Sequence, residues 1–200
     1  MHSNRAFHWT DREAMLAFAA DVAFAHLFVS SPEGPLVAHA PLTVTPEGNI
    51  RFHLSRANPP ARHLEGAIAL ASLAGPDAYV SPDWYGSDDQ VPTWNYVTVE
   101  ARGPVRLLSE AELVRQLDDL SAAHESRLAP KTPWTRAKMR PGLFEGLLKA
   151  IVGFEMQVED LRGTRKLGQN KKPEEIEGAA AGLPASGRGD MAALMRGARG

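Results

Sequence analysis

The chain has 200 residues, 44% of them hydrophobic and 23% charged, with a formal net charge of −2 and no cysteine. That length suits one domain with a tail, and it can bury a sizeable core. The missing cysteines exclude disulfides, Cys-based zinc sites and thiol nucleophiles, and no apolar run approaches the roughly 18 residues that a membrane helix needs. The opening MHSNRAFHWTDREAM has no apolar stretch of the secretory type, so a soluble cytoplasmic protein is expected. Charge is uneven: residues 76–125 hold ten acids and three bases, whereas residues 162–200 hold eight bases and four acids. Such asymmetry marks either an anion-binding end or a solvated tail. For DNA the balance is poor, because phosphate neutralisation wants a basic footprint.

Thr10-Asp-Arg-Glu13 reads as a capping box, and Met15, Phe18 and Val22 follow at helical spacing, which predicts a helix over 11–24. Strands are expected at 26–31 and 36–44, the second pushed to an edge or bulge by Pro41. After a Pro-Glu-Gly-Asn turn, IRFHLS (50–55) alternates apolar and polar residues, so it is a half-buried strand. Asn58-Pro59-Pro60 starts a short helix, and the small apolar run 67–75 suits a central strand. The segment 79–96, YVSPDWYGSDDQVPTWNY, holds all three tyrosines and two of the four tryptophans, stiffened by Pro82 and Pro92. Rigid rings of this kind suit a flat ligand or another subunit. A long strand bent at Gly103-Pro104 covers 95–108, and Ser109-Glu-Ala-Glu112 caps a helix over 110–125. A loop at 127–142, a helix at 143–152, a final strand at 153–161 and a helix at 173–181 follow. A last turn or helix opens at Asp190. The connections are too short for parallel crossovers, so the fold class is α+β: a compact antiparallel barrel with helices outside.

Gly187-Arg-Gly189 resembles a dinucleotide fingerprint by letter, but no strand precedes it. His39 and His53 lie in predicted strands and could face one another, yet a zinc site needs three or four ligands, so no metal is expected. Ser81 and Ser87 sit in no nucleophile elbow, and no catalytic residue can be named. Two segments remain. Ser55, Arg56 and Asn58 at a strand end match a phosphate with a hydroxyl, a guanidinium fork and an amide. Lys166, Gln169, Asn170 and Lys171 could read the edge of a polar ring system. Each has a plain alternative, a turn or a solvated basic exit. With the aromatic segment, they point to a phosphorylated flat cofactor.

GPDAYVSPDWY (75–85), VPTWNY (91–96), RANP (56–59), KAIVGFE (149–155) and KLGQNK (166–171) resemble the PaiB-type family. These are FMN-binding negative transcriptional regulators with the split-barrel fold of pyridoxamine-phosphate-oxidase-like flavoproteins. The likeness runs from the first helix to about residue 182, which implies an FMN-binding domain over 1–182 and a tail over 183–200. One departure is Gly168, where the family carries serine; a hydroxyl is lost there and the backbone gains freedom. The resemblance implies a homodimer with FMN in a cleft between subunits. It assigns Ser55, Arg56 and Asn58 to the phosphate and ribityl chain, and Thr93, Trp94 and Asn95 to the ring. Lys166, Gln169 and Asn170 fall to the isoalloxazine edge or the interface. A regulator and an FMN-dependent oxidoreductase are the leading functions; a haem-binding relative and a barrel without cofactor are the others.

Overall fold

The computed structural model describes residues 2–198. Its chain divides into two compact units: Leu16–Leu73 with Glu100–Leu161, and Met1–Met15 with Ala74–Val99 and Arg162–Gly200.

A barrel is built on the first of these, which holds residues 68–73 of one long strand and 100–107 of another. Strands β2 (Phe24–Ser31), β3 (Gly34–Val44), β4 (Ile50–Ser55), β5 (Ile68–Val80), β6 (Thr93–Leu107) and β7 (Ile151–Met156) follow β1 (His8–Trp9) in chain order. The pairings β5–β2, β2–β3, β3–β4, β4–β7, β7–β6 and β6–β5 form a closed ring. The registers of β2–β3, β2–β5, β3–β4, β4–β7 and β6–β7 are antiparallel. The expected antiparallel split barrel with peripheral helices is therefore the fold. Alternation dictates its core: Ile50, Phe52 and Leu54 of β4 point inward, and Arg51, His53 and Ser55 do not. Phe52 lies opposite Phe154 in register, and their rings stack with centroids 5.5 Å apart. Leu27, Leu42, Leu73 and Met156 complete the centre of the cluster.

Pro41 does not mark an edge. β3 pairs with β2 up to Pro41 and with β4 from Leu42 onward, so the proline sits where the strand passes between partners. Helix α1 (Arg12–Val22) is capped by Asp11, not Thr10: the Asp11 carboxylate accepts the Ala14 N–H at 3.0 Å. His39 does not face His53 either. His39 lies opposite His26, while His53 lies opposite Gly153 and meets the buried Gln116 amide at 3.2 Å. The expected helix 143–152 is only Leu143–Leu148 (α3), because the chain is already in β7 at Ile151.

Helix α2 (Glu110–Glu125) forms as the capping box predicts, with Ser109 and Glu112 exchanging bonds. Glu112 also takes the Arg106 guanidinium at 2.8 Å, and Arg106 reaches Glu155 at 3.1 Å. The Arg106 bond and the Ser109 backbone hold the Glu112 carboxyl at about 2, down from 4.5. A carboxyl lowered in the folded state stabilises fully above its unfolded value, and that contribution is lost as pH falls toward the folded one. Melting temperature should therefore drop between pH about 4.5 and about 2. In Glu112→Gln the drop over this window should be smaller, which acid titration followed by circular dichroism would measure.

In the second unit, β1 pairs antiparallel with β8 (Asp160–Lys166), His8 opposite Thr164 and Trp9 opposite Gly163. β8 neighbours β6, which neighbours β5. The expected single strand 153–161 is thus two strands, β7 and β8. Helices α4 (Pro173–Gly182) and α5 (Gly189–Gly197) follow, and Leu183, Met191 and Met195 are fully buried. Trp84 explains the glycines of α4. A Cβ on Gly178 would come within 2.3 Å of the Trp84 carbonyl oxygen, and one on Gly182 within 2.5 Å of its indole.

Candidate functional site

A recess with about 610 Å³ of open space lies in the unit that holds β1 and β8, and Phe7, Tyr85, Thr93, Asn95, Lys166 and Asn170 are among its lining residues. Four of these six carry the sequence expectation: Thr93, Asn95, Lys166 and Asn170. The adjacency of β6 and β8 brings the first three together, since Thr93 and Asn95 share one face of β6 by its two-residue period. Lys166 Nζ donates to Thr93 Oγ1 at 2.5 Å and lies 6.0 Å from the Phe7 ring centroid. Burial pushes its ammonium below the ordinary lysine value. Among the described residues Lys166 makes no ion pair. Asn95 is 1% exposed and gives its amide N–H to Met195 Sδ at 3.4 Å, a weak acceptor.

Lys171 adds a second cation to the lining. It donates to Gln90 Oε1 at 2.5 Å and sits 4.9 Å above the Tyr85 ring. Gln90 and Ser87 both bond the Glu175 carboxylate, at 3.3 and 2.7 Å. Glu175 also accepts the Lys172 N–H at the start of α4; that bond most, then the Ser87 hydroxyl and the Lys171 and Lys172 charges, lower its pKa. This chain of bonds ties the end of the aromatic segment to α4. Among the described residues no carboxylate lines the recess itself.

Two expected residues stand apart from it. Trp94 lies on the other face of β6, half exposed; its indole N–H donates to Asp77 at 2.9 Å, and Tyr79 packs against it edge-on. Gln169 turns its amide inward on its own turn, accepting the Leu167 N–H and donating to the Arg165 carbonyl at 2.6 Å. Gly168, at φ +85°, makes that turn possible, and the serine expected from the family would be strained there.

Ser55, Arg56 and Asn58 lie in the barrel unit, at the end of β4. The Ser55 hydroxyl accepts the Ala57 N–H at 3.3 Å, and the Asn58 N–H donates to the Ser55 carbonyl at 3.0 Å. Arg56 Nε donates to the Lys149 carbonyl at 3.0 Å, and among the described residues Arg56 makes no ion pair. Arg56 borders a cleft with about 730 Å³ of open space whose apolar wall includes Leu113 and Leu148.

Sequence reasoning missed Phe7, because this residue ends a three-residue 3-10 turn (Arg5–Phe7) too short to carry a period. It also left Tyr85 out of the site, although the aromatic run contains it, and it named Lys171 in the basic cluster without giving it a flavin contact.

Residues 1–160 match the family described as "Putative FMN-binding domain". The chain belongs to this family. It is also 32% identical over 175 residues to the protease synthase and sporulation protein PAI 2 of Bacillus subtilis, covering 86% of this chain and 83% of that one. Its fold is shared with the FAD and haem binding protein of Mycobacterium smegmatis (TM-score 0.62, 18% identity), with 88% of this chain and 80% of that one covered. The flavocytochrome Anf3 of Azotobacter vinelandii is similar too (TM-score 0.57, 17% identity), with 82% and 72% covered. FMN is the cofactor of this family member. The recess suits such a ring. Aromatic walls offer faces, while two cations, two amides and a hydroxyl offer donors to ring carbonyls, with no carboxylate among the described lining residues to repel them.

Proposed function

We propose that the protein works as an FMN-holding homodimer of the negative-regulator type in the cytoplasm. In this reading Thr93, Asn95, Lys166 and Asn170 meet the polar edge of the isoalloxazine. Ser55, Arg56 and Asn58 serve the phosphate and ribityl chain. Trp94 and Gln169 act indirectly, Trp94 on an exposed face suited to a subunit contact and Gln169 by shaping the turn before Asn170. The observation that carries the reading is Lys166: a half-buried ammonium held by a hydroxyl in a recess of donors, with no ion pair of its own among the described residues. Such a cation invites a ligand with electron-rich oxygens. The name of the Bacillus subtilis relative ties that protein to sporulation, a regulated programme, which supports a regulatory role.

The same lysine favours a second reading, an FMN-dependent oxidoreductase. FMN supplies electron-transfer chemistry when bound. Lys166 would hold positive charge where the ring gains negative charge, and the Phe7 and Tyr85 rings would limit water.

Two measurements on FMN-loaded protein test this. Sedimentation velocity should give twice the chain mass; a monomer at every concentration removes the homodimer. Gel shifts with duplex DNA at two salt concentrations decide direct repression, since real phosphate contacts weaken steeply with salt. Salt-sensitive binding would support the regulator, and decolouration of the flavin by NADPH without DNA binding would favour the oxidoreductase.

A further inference from the structure

Two histidines on the barrel play no part in the flavin reading. His26 of β2 and His39 of β3 are directly opposite in the antiparallel register. Their Nδ1 atoms are 2.7 Å apart, with the ring planes at 87°. At this level β2 is paired on both sides, with β3 and β5, while among the described residues β3 is held by β2 alone, β4 joining it only from Leu42 onward. The β2–β3 ladder sets the backbone beneath the rings. Phe24, on the same face of β2, sets its ring at 86° to His26 with centroids 6.4 Å apart and limits the imidazole's rotation. On the other side, β5 places Ser72 opposite His26.

The separation is close to a chelating bite. A cation about 2.0–2.1 Å from two nitrogens at a right or tetrahedral angle needs them roughly 2.9–3.4 Å apart. Small torsional changes within one rotamer well supply the difference. In the free pair one Nδ1–H donates to the other Nδ1. For chelation the donor ring moves that proton to its own Nε2, so two neutral imidazoles present lone pairs and no net proton is released. Among the described residues no third His, Asp or Glu forms a cluster with them, which leaves the remaining positions to water or an incoming ligand.

We propose that His26 and His39 form an open two-imidazole site for a late first-row divalent cation. Cu²⁺ is preferred over Ni²⁺ and Zn²⁺ by the general order of nitrogen-site affinities. Mg²⁺ and Ca²⁺ are refused because the site offers no carboxylate. The assignment is independent of the flavin recess, which lies in the other unit.

The test is a calorimetric titration of the full chain, FMN-loaded, with Cu²⁺, Zn²⁺ and Mg²⁺ in a non-coordinating buffer. Histidine ring resonances are followed by NMR in the same samples. One Cu²⁺ per chain should bind, broadening the His26 and His39 signals, and Mg²⁺ should give no heat. His26→Gln and His39→Gln should each weaken Cu²⁺ at least tenfold. Equal affinity in wild type and in the double variant would overturn the proposal, because another histidine would then be the ligand. So would the absence of Cu²⁺ binding in wild type.

Discussion

Gly103→Ala should be among the most destabilising single-methyl changes in this chain. A Cβ at Gly103 would stand 1.7 Å from the Gln157 carbonyl oxygen and 2.9 Å from its carbon. Neither atom is the mobile end of a side chain. The backbone there is pinned on both sides, by Gln157 N–H to Pro104 O and Glu159 N–H to Arg102 O, each at 3.0 Å. The methyl fits only if β6 parts from the segment after β7, which loses both bonds and opens the core beside Met156. Overpacking and broken backbone bonds together put the cost at about 3–4 kcal/mol. For a chain of this size that lowers the melting temperature by roughly 10 °C. Gly146→Ala is the control: nothing lies within 4 Å of its Cβ, it sits inside α3, and a small stabilisation of about 0.5 kcal/mol is expected. Thermal unfolding of both variants checks the pair. Equal melting temperatures would contradict the packing of β6.

Lys166→Met should weaken FMN about 10–100-fold while leaving the fold intact. The ammonium is replaced by an apolar chain of similar length, so packing near Phe7 is retained and the charge is lost. A charge-assisted hydrogen bond in a partly buried recess is worth about 1.5–3 kcal/mol. Thr93→Val should cost less, because it removes the partner that positions Nζ at 2.5 Å but keeps the charge. Quenching of FMN fluorescence on titration measures both. Unchanged affinity in Lys166→Met, with an unaltered circular dichroism spectrum, would take the lysine out of the flavin site.

Elements with local signals were legible in the sequence. β4 alternates cleanly, and the Ser109–Glu112 box marks the start of α2 by itself. The break between β7 and β8 was not, because KAIVGFEMQVEDL keeps an apolar rhythm that suits a helix end and a strand alike. Register was also hidden: nothing in the order of residues says that His39 meets His26 and not His53. At the recess, the period of two in β6 already separates Trp94 from Thr93 and Asn95, so their division was available to strict strand reasoning. The inward turn of Gln169 depends on backbone groups of its own turn, which residue types alone do not reveal.

The central claim is that this chain holds FMN in the recess around Lys166. The direct measurement is the visible spectrum of protein purified without added cofactor, then dialysed against FMN and washed. Flavin absorption bands at about one FMN per chain, reduced in Lys166→Met, are the expected result. A colourless protein that takes up no FMN would contradict the account.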